Sequence, residues 1–490
     1  MTKLFWVFPV WFLIDNILGL NGYHFTIFGI GIRIILFALS VVSLCLYCLY
    51  TIKQENICIG KRKPGCHHLI DYCKPLDGFV LGFLFLSFIW ATVVPFLKNS
   101  NLSYAINDFK TLLVMVLYFP CAFLMRTGRL TFRAIRRWLF PLLLLLAAWH
   151  SVMYIGEIYC PGFYAGYYDL IDIISFGTAV RTDVIIGFGI TRIIQVTSIL
   201  LIPAFLLILD KTVTRGKPGI IAPMALVLFA VLITYTKSIW FGILAGLVIA
   251  MAGIFIFAKD ALTQKRTAVF GLALVVLFCI FNYGFLDNTI ITRTLNNSRP
   301  DMLTSIESQI GDLQQQLSQM ETGDTTDPSG SNEDQKSKED LENLLKKLES
   351  QRQDAAGTAA ANAERSLQNT FLQKKWSESK LFGFGYGAYA EDCIRNQQYP
   401  YMYESLLPAM LMKLGLAGML VWGIFVVALV VFAIKAMWKK PVKFWCWIGT
   451  ALAYAMAVQT NPFLFTFAGI SLMLYLLLFI VDQQEDTESK

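Results

Sequence analysis

The sequence predicts an all-α protein that crosses a membrane many times. Of its 490 residues, 56% are hydrophobic and 15% are charged, which is too apolar for a soluble protein of this length. Apolar runs of about 18 residues or more recur along the chain, and each can cross about 30 Å of hydrocarbon as a helix. One long polar segment, residues 287–402, interrupts these runs.

Twelve apolar runs predict twelve transmembrane helices. The chain then divides into helices 1–9 within residues 1–286, a loop domain at 287–402, and helices 10–12 with a tail at 403–490. The first run has no small-residue cleavage site after it, so we predict a retained membrane helix and not a signal peptide. The runs are 4–20, 26–52, 79–97, 109–125, 138–158, 190–209, 219–236, 239–257, 267–286, 403–434, 443–458 and 462–481.

The distribution of Lys and Arg predicts the orientation, because loops rich in these residues stay in the cytoplasm. Alternate loops are basic, and the opposite short loops hold little beyond Lys98, Arg181 and Lys237. Both termini are therefore predicted to be cytoplasmic, with loop 287–402 outside. The basic loops contain Lys53, Lys61, Arg62, Lys63 and Lys74; Arg126, Arg129, Arg133, Arg136 and Arg137; Lys211, Arg215 and Lys217; Lys259, Lys265 and Arg266; and Lys435, Lys439, Lys440 and Lys443.

Within the large loop, residues 301–360 predict a charged helical hairpin. Apolar residues recur there at three- and four-residue spacing on both sides of a turn at 323–332. Its solvated surface favours a spacer or a partner-docking insert over a part of a catalytic centre. The repeating residues are Ile306, Ile310, Leu313, Leu317 and Met320, then Leu341, Leu344, Leu345 and Leu348.

The cysteines predict no metal site. Cys58, Cys66 and Cys73 flank two histidines but include no CxxC pair, which favours a reduced cytoplasmic loop. Cys160 and Cys393 both fall on the predicted outer side, where they form either a disulfide or two separate thiols. The net charge of +7 is modest and implies no nucleic-acid partner.

Candidate functional residues are the charged groups at the outer ends of the predicted spans, because such groups cost free energy unless they line a polar cavity. Arg192 and Lys237 are each either snorkelling residues or members of a cationic rim for a lipid-linked pyrophosphate. Arg365 adds a third cation. Glu404 is either favoured by the helix dipole or a general base for an acceptor hydroxyl.

Several enzyme classes are excluded by missing motifs. The sequence contains no Ser-His-Asp set, HExxH motif or Walker loop. The glycines in 383–387 follow a predicted helix, where a nucleotide-binding loop would follow a strand. None of the four histidines lies in the large loop, so a histidine base there is excluded, and no cofactor is predicted.

These motifs resemble the O-antigen ligase and Wzy-type polysaccharide polymerase superfamily. Arg365, Trp376 and the run Phe382-Gly383-Phe384-Gly385-Tyr386-Gly387 are similar to that family's Arg, Trp and Gly-x-Gly pattern. Glu404, followed by Leu406-Leu407 and Gly415-Leu416-Ala417-Gly418, resembles the start of its helix after the large loop. Thr236-Lys237-Ser238, Arg192 and Asn461-Pro462 occupy further corresponding positions.

The resemblance implies metal-independent, inverting glycosyl transfer at the outer face of a bacterial inner membrane, from an undecaprenyl-pyrophosphate-linked glycan. Arg192, Lys237 and Arg365 would bind the pyrophosphate, with Arg181 as a further candidate. Glu404 would orient or deprotonate the acceptor. Since the hairpin lies between Arg299 and Arg365, either arginine fits the family position. The family also implies a glycan or lipid acceptor and a chain-length regulator.

Three alternatives remain open at this point. A glutamate at 404, where ligases to lipid A core often carry histidine, favours a polymerase over a ligase. A transporter of lipid-linked glycan is less favoured, because no repeat relates the two halves and the charges cluster at outer ends and not at the midplane. A membrane anchor that displays the hairpin would not require Arg192, Lys237 and Glu404 on one side.

Overall fold

The structure is a computed structural model of the full chain. It describes residues 2–18, 26–27, 30–58, 68–174, 184–187, 190–193, 195–216, 220–286, 290–291, 302–322, 332–394, 397 and 399–488. These residues form an all-α protein with two small antiparallel hairpins. One pairs β1 (Thr26–Ile27) with β2 (Ile30–Gly31), and the other pairs β3 (Val184–Gly187) with β4 (Ile190–Ile193).

The helices before the large loop are apolar and closely packed. They are α1 (Val7–Leu18), α2 (Ile32–Gln54), α3 (Pro75–Leu97), α4 (Leu102–Phe109), α5 (Tyr118–Arg126), α6 (Phe132–Tyr159), α7 (Phe163–Ile174), α8 (Leu201–Arg215), α9 (Ile221–Leu232), α10 (Lys237–Phe257) and α11 (Ala261–Gly284).

Two helices lie in the large loop and three follow it. They are α12 (Met302–Thr322), α13 (Asn332–Ser377), α14 (Leu406–Met437), α15 (Pro441–Ala457) and α16 (Phe467–Glu488). Short 3-10 turns lie between several helices, at Leu112–Leu117, Val196–Leu200 and Val458–Thr460 among others.

The length and hydropathy of the helices confirm the prediction of a polytopic membrane protein. Among the described residues, eight segments are long and apolar enough to span a membrane, and a ninth arises if α4 and α5, bent by 43°, form one span. The remaining predicted spans, 4–20, 219–236 and 443–458, fall on the shorter helices α1, α9 and α15. The count of twelve and the orientation stay predictions.

Contacts between helix ends pair loops that the charge pattern assigns to one side. Arg129 contacts Glu55 at 2.8 Å, and Arg136 contacts Asp210 at 2.6 Å; all four residues lie at ends predicted to be cytoplasmic. Arg126 contacts Asp77 at 2.6 Å, again between two such ends. These pairs agree with the alternation on which the orientation rests.

Glycines allow close helix packing in the membrane region between α10 and α15. A β-carbon on Gly246 would collide with the carbonyl of Gly449, and one on Gly242 would press on the backbone of Ala453. Small residues at such crossings let two backbones approach, which is how membrane helices gain van der Waals contact. This crossing fixes the helices on either side of the large loop against each other.

The segment predicted as a hairpin contains α12 and α13 packed together. Their contact is a small apolar cluster of Ile306, Ile310 and Leu313 against Leu348, with Leu341 and Leu345 beside it. The second helix does not stop near residue 360 but continues to Ser377. Arg365 therefore lies within a helix that is continuous with the hairpin.

Candidate functional site

The two residues predicted to carry the chemistry form an ion pair. Arg365 Nε donates to Glu404 Oε2 at 2.6 Å, and Arg365 Nη1 donates to Asn362 Oδ1 at 3.2 Å. The side chains of Arg365 and Glu404 are 37% and 20% exposed, so the pair is reachable from solvent. Glu404 lies two residues before α14, ahead of the Ser405 cap, so it does not occupy the first turn of the helix.

Packing of the end of α13 on the start of α14 holds this pair together. Leu372 on α13 is fully buried with Ala409 and Met412 of α14 and with Tyr403. Trp376 packs on the same cluster and donates its indole N–H to the carbonyl of Lys380 at 3.1 Å. Arg365 lies two helical turns before Leu372, and the packing of Leu372 on α14 therefore positions Arg365.

Gln368 is a further polar group near the pair that the sequence analysis did not select. It lies three residues after Arg365 on α13, is 2% exposed, and its Oε1 has no hydrogen-bond partner among the described residues. A buried amide oxygen without a partner is costly, and a bound hydroxyl or water is one way to satisfy it. A ligand hydroxyl donating to Gln368 would remove that cost.

The glycine run after α13 forms a loop held between three membrane helices. Tyr386 donates its backbone N–H to the carbonyl of Trp90 on α3 at 2.9 Å, and Trp90 Nε1 donates back to the carbonyl of Phe382 at 2.9 Å. Gly387 has φ of 71°, and a β-carbon there would collide with the backbone of α4 at Tyr104 and Ala105. Only glycine fits this close approach.

This loop also replaces hydrogen bonds that α14 lacks. Gly415 has φ of 63° and ψ of −173°, which interrupts the helix. The backbone N–H groups of Leu416 and Ala417 donate instead to the loop carbonyls of Lys380 and Leu381, each at 2.9 Å. In return, Phe384 and Gly385 donate to the carbonyls of Met412 and Lys413, at 3.1 and 2.7 Å.

A buried ion pair between Asp108 and Lys413 lies beside this break. Lys413 Nζ is 2.5 Å from Asp108 Oδ2, with side-chain exposures of 4% and 3%, and the same carboxylate oxygen accepts the Gly387 N–H at 2.9 Å. Asp108 belongs to the last turn of α4, next to the bend before α5. Two interrupted helices and the glycine loop therefore meet at one carboxylate.

This pair was not predicted, because the candidate residues were charges at the ends of the predicted spans. The signal was present, since Lys413 is a charged residue inside the apolar run 403–434. The stretch from Lys413 to the end of α14 is about 36 Å long at the α-helical rise, longer than the hydrocarbon layer. Lys413 thus lies toward the same end of α14 as Glu404, and not at its middle.

One further contact joins the segments that contain Lys237 and Asn461. Lys237 begins α10, and Asn461 Nδ2 donates to Ser238 Oγ at 2.7 Å, which joins two motifs that the sequence analysis noted separately. Phe465, four residues after Asn461, has its ring 5.8 Å from the Tyr386 ring and 5.3 Å from Lys413 Nζ. The segment after Asn461 therefore packs against the glycine loop and α14.

The positions of the side chains of the other predicted arginines, Arg192, Arg181 and Arg299, lie outside the described residues. Arg192 lies in strand β4, before the span Val196–Thr214, and not at the start of a helix as the run 190–209 had suggested. The assignment of all three arginines to the pyrophosphate stays a prediction.

Other groups near the site have structural roles. Tyr403 accepts the backbone N–H of Ala390 at 2.7 Å, and burial raises the pKa of its phenol, so it stays neutral at physiological pH. No disulfide joins Cys160 to Cys393; each carries a thiol. Among the described residues, no three His, Cys, Asp or Glu side chains are grouped to hold a metal ion.

Comparison with known proteins found no similar protein. No family model, curated protein or solved structure matches the chain. Membership of the O-antigen ligase and polymerase superfamily therefore stays an expectation that rests on the motifs quoted above.

Proposed function

We propose that this protein is a membrane glycosyltransferase that polymerises surface polysaccharide from a polyprenyl-pyrophosphate-linked donor. The observation that carries the proposal is the Arg365–Glu404 contact of 2.6 Å, which places a guanidinium beside a carboxylate at a partly exposed position. Glycosyl transfer from a pyrophosphate requires a cation for the departing phosphates and an acceptor oxygen that loses a proton.

The two side chains divide these tasks. The guanidinium of Arg365 has further N–H donors that can turn toward phosphate oxygens, in the bidentate geometry that arginine favours. Binding of the pyrophosphate would draw Arg365 away from Glu404. The carboxylate of Glu404 would then be able to accept the proton of the acceptor hydroxyl. Lys237, Arg192, Arg181 and Arg299 are proposed to add positive charge around the phosphates, and Gln368 to accept from a sugar hydroxyl.

Apolar surface beside the site suits the lipid part of such a donor. Leu381 and Phe382 of the glycine loop are 56% and 51% exposed, and Phe96 at the end of α3 is 76% exposed. Exposed apolar groups on a membrane protein contact lipid tails, so a polyprenyl chain is proposed to lie there while its phosphates reach Arg365. The acceptor is proposed to be a second lipid-linked repeat unit.

The first test is a gel of surface polysaccharide from a deletion strain that carries wild-type, Arg365→Ala or Glu404→Gln protein at matched membrane levels. Loss of the long ladder, with single repeat units still attached to the lipid core, supports a polymerase. Loss of all attached glycan, with polymer still on the carrier, indicates a ligase. Arg352→Ala, an exposed position on the same helix, is the matched control.

Transport of lipid-linked glycan is the second candidate, and one observation favours it. Broken membrane helices are a feature of transporters, and α14 is broken at Gly415. Purified protein in detergent distinguishes the two. A transferase lengthens lipid-linked glycan without a sealed membrane, whereas a transporter gives no product in detergent and moves the lipid only in vesicles.

A further inference from the structure

A groove lies at the end of the membrane helices opposite to the candidate site. The turn between α10 and α11 forms one side, and the turn between α14 and α15 forms the other. Its volume is about 540 Å³, within the range of sites that hold small ligands. The lining residues used below are Phe257, Lys259, Trp438, Lys439 and Trp445.

Aromatic rings form the apolar wall of this groove. Phe257 stacks on Trp445 with ring centroids 5.4 Å apart and an angle of 22° between the planes. A β-carbon on Gly253 would overlap the Trp445 ring, so this glycine lets the indole lie flat on α10. Phe257 and Trp438 remain 47% and 59% exposed, although both are large apolar groups. The wall is rigid and open to a ligand.

Two lysines supply positive charge, one from each turn. Lys259 and Lys439 are both exposed, and in the described part of the chain no carboxylate lies within ion-pair distance of either ammonium group. Asp260 is the acidic residue of the groove, but its carboxylate already caps α11. It accepts from the backbone N–H of Thr263 at 3.0 Å and of Leu262 at 3.3 Å. The two lysines outnumber this one carboxylate, so the lining carries a net positive charge.

Both turns join the ends of apolar helices in loops that the charge pattern predicts to be cytoplasmic. At that depth tryptophan rings and lysine side chains meet the headgroups and upper acyl chains of the lipids. We propose that this groove binds an anionic phospholipid, with Lys259 and Lys439 on its phosphate and with Phe257 and Trp438 against the upper acyl chains. The site is independent of the proposed glycosyl transfer.

The test is native mass spectrometry of the purified full-length protein in a neutral detergent, titrated with phosphatidylglycerol or with phosphatidylcholine. We expect one phosphatidylglycerol to be retained preferentially. The double variant Lys259→Ala and Lys439→Ala should bind it about 25-fold more weakly, at roughly fivefold for each lysine near a headgroup. The variant Trp438→Ala should weaken retention of both lipids, since the ring contacts acyl chains and not charge.

The control is Lys53→Ala with Lys265→Ala, which removes the same charge from exposed positions outside the groove. It should leave phosphatidylglycerol binding unchanged. Equal retention of the two lipids by the wild-type protein, or equal weakening by both double variants, overturns the proposal. Displacement of the lipid by inorganic phosphate at the same concentration would also overturn it, because the site would then recognise phosphate without acyl chains.

Discussion

At the scale of single residues, the pair between Asp108 and Lys413 should be the most sensitive position of the described membrane region. Lys413→Met removes one partner and leaves Asp108 buried without compensation, which costs about 3–5 kcal/mol. The loss should appear as a lower midpoint of thermal unfolding for the detergent-solubilised protein. The exposed Lys346→Met on α13 is the control and should leave the midpoint unchanged.

The double variant Asp108→Asn with Lys413→Met separates charge from packing. An asparagine oxygen can still accept the Gly387 N–H, which Asp108 accepts at 2.9 Å. The double variant should therefore be more stable than Lys413→Met alone. If the two substitutions were simply additive, the residues would not be coupled, and the pair would not hold the loop to the two helices.

Glu404 was predicted as a candidate because a charge at the start of an apolar run is visible in the run itself, and Arg365 because of its motif with Trp376 and the glycine run. Their roles stay predictions. The sequence did not show that these two residues touch, since 39 positions separate them. The partner of Lys413 was harder still to find, as Asp108 lies 305 positions away on another helix. Periodicity and spacing predict local structure only. Contacts between residues that are distant in sequence depend on how the helices pack, which the sequence pattern does not show.

At the scale of elements, the break in α14 yields a prediction with an internal control. Gly415→Ala should destabilise the protein by about 1–3 kcal/mol or more, because alanine is strained at this positive φ and its β-carbon would meet the carbonyl of Leu381. Gly423→Ala lies on the same helix in open space, so it should be neutral or slightly stabilising. Unfolding midpoints of the two variants test this, and a similar loss in both would contradict it.

The hairpin of α12 and α13 yields a second prediction at this scale. Replacing residues 315–338 by a short Gly-Ser linker keeps the cluster of Ile306, Ile310, Leu313 and Leu348. Glycan transfer by the purified protein should persist, because Arg365 and the contact of Leu372 with α14 are unchanged. Complete loss of transfer, in a variant with an unaltered unfolding midpoint, would place part of the reaction centre in the hairpin.

The predicted boundaries of helices were wrong at two places, where the residues at the boundary favour a strand or a longer helix. Ile190 to Ile193 is rich in β-branched residues and pairs as a strand, so the span after it begins later than the apolar run. The hairpin helix passed its expected end near residue 360 because the alanine-rich stretch 355–363 spans that position and has high helix propensity. The break at Gly415 was not predicted, because a glycine inside an apolar run does not by itself indicate a positive φ.

At the scale of the whole molecule, orientation is the property to measure. A single cysteine at Asp340 should react with a membrane-impermeant maleimide in intact cells, in a protein whose other exposed cysteines are replaced. A single cysteine at Trp438 should react only after permeabilisation. Labelling of residue 340 only after permeabilisation would reverse the topology and remove the basis of the proposed function.

The meeting of α4, the glycine loop and α14 has a consequence for biosynthesis. The ribosome makes Asp108 long before Lys413, and the loop around Gly387 emerges between them. Until Lys413 is made, Asp108 on α4 lacks its counter-charge, so this region can complete its fold only late in translation. A chain released before residue 413 would keep the Asp108 carboxylate without its counter-charge, and we expect quality-control proteases to degrade it.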